Sequence, residues 1–234
     1  MKNLKDLTVT QVKIFPHDFI PYDYLFRPDV TDSIVKKYQF QKKDFPYPPY
    51  DESTPNVLLL HSGEIKIEKK KILIILLSFE SRKITLKVKG SSKQAAKVFS
   101  QIEKDINESD SSNLFNNSNC LIETEETSCV VQLDINYESL FSNKTRRFLK
   151  QSIPEKVLPF NLKATNPIRL SFLIEFQQDK ELFEKHRITI SPKELTIEPR
   201  AGTSFDDKIF HTKSPTNSDT HLKLIREFEK AFKD

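Results

Sequence analysis

The stretch VLLLHSGEIKIEKK at 57–70 and the stretch RITISPKELTIEPR at 187–200 carry one pattern at an offset of 130 residues. Leu58 matches Ile188, Leu60 matches Ile190, Glu64 matches Glu194, Ile65 matches Leu195, Ile67 matches Ile197 and Glu68 matches Glu198. A second match follows in the same order at an offset of 126, KVFSQIEKDI at 97–106 against KLIREFEKAF at 223–232. There Val98, Phe99, Ile102 and Ile106 coincide with Leu224, Ile225, Phe228 and Phe232. Internal repetition of this kind constrains the fold more than any composition can, because each copy is read as one supersecondary unit used twice.

In the first match, aliphatic residues alternate on both sides of a Ser-Gly or Ser-Pro pair, which predicts a β-hairpin in each copy. The i, i+1, i+4, i+8 spacing of the second match predicts an amphipathic helix. Ser91 or Ser92 is the expected cap of the first helix, and Asp219 or Thr220 that of the second. Between hairpin and helix the first copy has KILIILLSF (71–79) and KITLKV (83–88), two strands turning at ESR. The corresponding AGTSFDDKIFHTK (201–213) is more polar and reads as irregular.

Further strands are expected at LTVTQVKIF, at TSCVVQLDI (127–135) and at NPIRLSFLIEFQQD, where Ile168, Leu170, Phe172, Ile174 and Phe176 alternate. TDSIVKKYQF reads as a short helix or a strand, and YESLFSNKTRRFLKQSI as a helix ended by Pro154. The Asn- and Ser-rich run NESDSSNLFNNSN falls mid-chain and reads as a linker. The expected organisation is a first α+β half over 1–108, a linker over 109–119 and a second α+β half over 120–234. Each half is an antiparallel meander closed by a C-terminal amphipathic helix, with the helices on one face of the sheet.

Composition narrows the chemistry. Three glycines in 234 residues, with Gly63 and Gly90 isolated and Gly202 in PRAGTS, leave no phosphate-cradling loop or dinucleotide fingerprint. The longest apolar run, ILIILL at 72–77, is strand-sized and far short of the roughly 20 residues a membrane helix needs. MKNLKDLTVTQ lacks the apolar core of a signal peptide, so a cytoplasmic protein without membrane contact is expected. Cys120 and Cys129 have no paired spacing, and His17, His61, His186, His211 and His221 form no HxH or HxxxH pair. Neither a metal, a disulfide nor another cofactor is expected from them.

Three patterns point to function. RPD at 27–29 followed by EIK at 64–66 matches the loose PD…(D/E)xK pattern of metal-dependent nucleases, in which two acids hold a divalent ion. Glu64 recurs as Glu194 in ELT without the lysine, which suits the polar face of a repeated scaffold better. The net charge of +4 lies wholly in residues 1–118, with 19 Lys/Arg against 15 Asp/Glu. There Lys69, Lys70, Lys71, Arg82, Lys83, Lys87, Lys89 and Lys93 lie close in sequence, and strand alternation turns Thr85, Lys87 and Lys89 to one side. Such a basic strand face suits phosphate contacts, and equally a solvated edge. Residues 15–50 hold ten of the 24 aromatics with prolines between them and Lys36, Lys37, Lys42 and Lys43 adjacent. That combination suits single-stranded nucleic acid, a protein partner or an irregular cover over the core.

Two β-rich halves each closing on a helix, with GSSKQAAKVFSQI leading a strand into the first of them, resemble the pseudo-twofold saddle of TATA-binding-protein-like folds. The resemblance lies in element order over the two matched segments. It includes no pair of intercalating phenylalanines, so DNA bending is not implied for any residue of this chain. The sequence therefore leads to a non-enzymatic binding protein that contacts nucleic acid through Lys36, Lys37 and the lysine-rich strands of its first half. A protein-interaction or adaptor subunit is the alternative, and a metal-dependent nuclease the third reading.

Overall fold

The computed structural model describes residues 1–16, 27–44, 57–110, 119–136, 140–145, 147, 156–157, 160–161 and 169–233. Much of the proline- and aromatic-rich segment, most of the expected linker and the helix expected before Pro154 lie largely outside these residues. The protein is α+β, dominated by one nine-stranded sheet in which each strand is antiparallel to its neighbours.

In chain order the elements are β1 (Lys2–Ile14), α1 (Pro28–Lys37), β2 (Lys42–Asp44), β3 (Val57–Ile67), β4 (Lys70–Glu80), β5 (Lys83–Lys89) and α2 (Ser92–Asp110). There follow β6 (Ile122–Gln132), a separate short pair β7 (Lys156–Val157) and β8 (Phe160–Asn161), then β9 (Leu170–Ile174) and α3 (Lys180–His186). The chain ends with β10 (Lys193–Pro199), a 3-10 turn at Phe205–Asp207, β11 (Ile209–Ser214) and α4 (Ser218–Phe232). The order across the sheet is β2-β3-β4-β5-β1-β6-β11-β10-β9, so β1 and β6 pair in its interior.

Alternation decides which side chains meet the helices. Val9, Gln11 and Lys13 of β1 and Thr127, Cys129 and Val131 of β6 are buried, while their sequence neighbours are mostly only partly so. α2 reaches this face through Glu103, which accepts from Lys13, and α4 through His221, which meets Thr212 of β11. The buried apolar residues form two clusters. One joins β1, β3, β4 and β5 to α1 and α2 through residues such as Leu60, Leu77, Leu86 and Phe99. The other joins β6, β10 and β11 to α4 through Val131, Ile197, Phe210 and Ile225. Burial of this apolar surface is the main stabilising term.

Several sequence expectations need correcting. Residues 57–67 form one continuous strand, not a hairpin. Ser62 takes a left-handed φ of 56°. The Cβ that any other residue would place at Gly63 would meet the Phe40 ring at 2.6 Å and the Tyr38 carbonyl at 2.9 Å. The chain kinks there without losing its register against β4, and it turns instead at Glu68 and Lys69, both left-handed. Residues 187–192 likewise form no strand, and Arg187 ends α3 in the left-handed region. Residues 209–214, expected to be irregular, form β11, because its inward Phe210, Thr212 and Ser214 are buried and the two hydroxyls hydrogen-bond. TDSIVKKYQF is resolved as helix, with Pro28 at its start where a missing N–H costs nothing. α2 extends to Asp110, two residues into the expected linker.

The helix caps fall close to their expected places. Ser91 Oγ accepts from Gln94 N (3.4 Å) while Gln94 Oε1 accepts from Ser91 N (2.9 Å), a reciprocal cap. α4 is capped two residues before the earlier of its expected caps, by Asn217, whose side chain accepts from Thr220 N (2.8 Å).

Candidate functional site

Glu64, Leu73, Lys89, Thr8, Ser128, Lys213, Thr196 and Ser171 are successive Cα partners from β3 across to β9. They lie on the face away from α2 and α4, since their strand neighbours Val88, Val9, Thr127 and Ile197 are buried on the helix side. The next row holds His61, Leu76, Lys87 and Thr10. Leu73 is 43% exposed in this setting, and Ile75, the extra residue of a bulge in β4, is 38% exposed beside it.

Four lysines of this face are matched by carboxylates. Lys71 pairs with Glu64, Lys83 with Glu80 (2.7 Å), Lys89 with Asp6 (2.8 Å) and Lys213 with Glu126 (2.9 Å). The hydrogen bond and charge of Lys89 hold the Asp6 carboxyl below its ordinary range. Lys87 has no ion pair among the described residues. At the far side His211 Nδ1 lies 3.2 Å from Glu198.

The ten basic residues singled out in the sequence do not share one surface. Lys71, Lys83, Lys87 and Lys89 are on the second sheet face. Lys69 is in the β3–β4 turn. Lys70 and Lys93 line a cavity of about 280 Å³ on the edge of α2, together with Lys97, Glu68 and Gln94. Arg82, in the β4–β5 turn, donates to the His186 carbonyl (3.1 Å), joining that turn to the end of α3. Lys36 and Lys37 end α1, where Lys37 pairs with Asp105 of α2 (2.7 Å).

The buried polar groups on the helix side went unnoticed in the sequence. Asp105 also accepts from Tyr38 (2.5 Å) and Gln101 (2.8 Å), tying α1 to α2. Burial, reinforced by Asp105, pushes the Tyr38 phenol well above its usual range, so it remains a donor. Lys13 and Glu103 form a buried ion pair of 2.8 Å, with the ammonium also 4.5 Å from the Phe99 ring centre. His221, fully buried, lies between Ser214 Oγ (2.7 Å from Nδ1) and Thr212 Oγ1 (3.0 Å from Nε2), with Cys129 Sγ at 3.5 Å from Nε2. A cysteine beside a histidine suggests a nucleophile. Here burial raises the thiol pKa and keeps both groups from substrate, so the cluster fastens α4 to the sheet. The only sequence signal for it was the alternation of Cys129 with Val131 and of Thr212 with Phe210.

The acids of the nuclease-like pattern are separately engaged, Asp29 with Arg27 (2.7 Å) and Glu64 with Lys71. Among the described residues, no group of three or more His, Cys, Asp or Glu side chains is placed to hold a metal ion. No described helix is long and apolar enough to cross a membrane. Comparison with protein-family models and with curated proteins finds no match to this chain.

Proposed function

We propose that the chain is a non-enzymatic binding protein of two related halves, and that the second face of its sheet receives a protein partner. The two-halves reading is supported by strand order. Outward from the β1–β6 pair run β5, β4 and β3 on one side and β11, β10 and β9 on the other, and β5 and β11 each lead into a helix. On this alignment β10 corresponds to β4, so the phrase shared by 57–70 and 187–200 falls on strands of different rank. The helix match at an offset of 126 keeps its meaning, because Ser92 and Ser218, 126 residues apart, meet at the two helix starts. We read this order as resembling a TATA-binding-protein-like saddle, a likeness of fold that would not fix a ligand.

One observation carries the choice of partner: Lys71, Lys83, Lys89 and Lys213 of the second face are each already paired with a carboxylate, while Leu73 and Ile75 stand uncovered beside them. A phosphate chain would have to displace Glu64, Glu80 and Asp6 from their lysines and would then be repelled by them. A protein surface supplies apolar contact at the centre and both signs of charge at the rim. Tagged protein in its native cells should co-purify with a stoichiometric partner, and Leu73→Glu should abolish this without lowering the melting temperature. The reading fails if that variant retains its partner.

Lys87 favours nucleic acid as a second reading, since it stands unpaired among the described residues between Lys83 and Lys89. Fluorescence anisotropy with single- and double-stranded oligonucleotides separates the two. Binding that falls steeply with salt and is lost in Lys87→Glu would replace the protein-partner reading. No observation favours the nuclease reading.

A further inference from the structure

On the opposite, helix-bearing side, a cavity of about 370 Å³ opens between α2 and the β1–β6 pair, lined by Gln11, Lys13, Phe99, Ser100, Cys120 and Glu123 among others. Its volume is in the range of small-ligand sites. Gln11 is only 4% exposed, and its Oε1 has no hydrogen-bond partner, although its Nε2 donates to Glu125 (3.4 Å). A buried amide oxygen left without a donor costs about 1–3 kcal/mol, so the site is built to accept one.

The charges in the cavity fix the kind of donor. Lys13 is committed to Glu103 and to the face of Phe99. Glu123, the Cα partner of Lys13, and Glu125, the Cα partner of Gln11, carry no ion pair among the described residues. The carboxylate of Glu123 is felt within the cluster, since it adds to the burial that raises the Glu103 pKa. After the internal pair is cancelled, the Glu123 carboxylate and the unsatisfied Gln11 oxygen line the opening, and the Glu125 carboxylate lies within reach of the Gln11 side chain. We propose that this cavity binds a guanidinium or alkylammonium group, with Gln11 Oε1 accepting one N–H and Glu123 and Glu125 balancing the charge. A planar guanidinium fits best, because it offers several N–H donors at fixed angles to a carbonyl and a carboxylate together. The site is independent of the partner surface on the other face.

Cys120 supplies a local reporter. It lines the cavity and is half-buried, whereas Cys129 is enclosed in the α4 cluster. Alkylation of Cys120 by iodoacetamide, followed by peptide mass spectrometry, should slow several-fold in the presence of agmatine or of acetyl-Gly-Arg-Gly-amide. Protection by agmatine alone identifies a free small cation, and protection by the peptide identifies an arginine side chain; either supports the site. Tetramethylammonium, which has charge but no N–H, should not protect. Gln11→Leu and Glu123→Gln should each abolish the protection while melting no lower than the parent, since the first removes an unsatisfied oxygen and the second an exposed charge. The proposal is overturned if neither guanidinium probe protects, which leaves water as the only occupant. It is also overturned if tetramethylammonium protects equally, or if Gln11→Leu remains protected.

Discussion

Ser92 and Ser218 hold each other's backbone: Ser92 N donates to Ser218 Oγ (3.1 Å) and Ser218 N donates to Ser92 Oγ (2.7 Å). Each hydroxyl thereby satisfies one of the amides that a helix start leaves without an intrahelical acceptor, but on the other helix. The contact joins the starts of α2 and α4 and therefore the two hydrophobic clusters beneath them. Replacing either serine by alanine should cost about 1–2 kcal/mol, the range for losing a helix cap. Because the two bonds share one geometry, the double variant should cost less than the sum, with a coupling of about 0.5 kcal/mol or more. Urea unfolding of the two single variants and the double variant measures this directly.

Acid should loosen the attachment of α4. Burial, helped by the charge of His211, lowers the pKa of His221 from 6.5 to about 4, so the ring is neutral in the fold and titrates normally once unfolded. A lowered folded-state pKa means that the unfolded chain binds the extra proton between these values. The stabilisation is then complete above pH 6.5 and is lost progressively as the pH falls towards 4. The whole effect is about 3 kcal/mol at 1.36 kcal/mol per pH unit. Urea midpoints across this window should fall with acid, and His221→Gln should remove most of the slope while lowering stability at neutral pH.

The sequence made some elements legible and hid others for physical reasons. β5, α2 and α4 carry a single unbroken period each, and β4 stands out as a long apolar run; their limits follow the residues that alternate or recur on one face. β3 was misread because its alternation changes phase at Ser62 and Gly63, and a phase change between aliphatic runs looks the same for a kinked strand as for a hairpin. What decides it is the Phe40 ring over Gly63, a contact between distant parts of the chain. β11 was missed because Thr212 and Ser214 are polar yet buried, and only the fold brings His221 to satisfy them. The lysines were correctly counted, but the carboxylates opposite them come from other strands and turns, such as Asp6 for Lys89 and Glu126 for Lys213. Gln11 gave no signal at all, since an unsatisfied oxygen exists only once the surroundings are formed.

The close approach at Gly63 makes its own test. A methyl group there would meet ring carbons of Phe40 at 2.6 Å and cannot be accommodated without moving the ring or the strand. The neighbouring Glu64 N donates to the Tyr38 carbonyl (2.7 Å), which pins the backbone on that side. Gly63→Ala should therefore destabilise the protein by about 1–3 kcal/mol, the usual cost of overpacking. Adding Phe40→Leu should recover part of the loss in urea unfolding, whereas Phe40→Leu alone should be destabilising.

The buried pair of Lys13 and Glu103 gives the sharpest contrast between breaking a pair and replacing it. Both side chains are more than nine-tenths enclosed, and desolvation raises the Glu103 pKa even though the hydrogen bond from Lys13 opposes it. Lys13→Met would leave a carboxylate buried without its cation, at a cost of about 3–5 kcal/mol near neutral pH. A carboxyl with a raised folded-state pKa binds its proton more readily in the fold, so the variant should regain stability relative to the parent as the pH falls and Glu103 is neutralised. Lys13→Met combined with Glu103→Leu should recover most of the loss at neutral pH, because neither charge then has to be desolvated. Urea midpoints of the parent and the two variants at neutral and acidic pH decide the matter. A single variant as stable as the parent at neutral pH would mean that water reaches Glu103 and that the pair is less enclosed than its surroundings indicate.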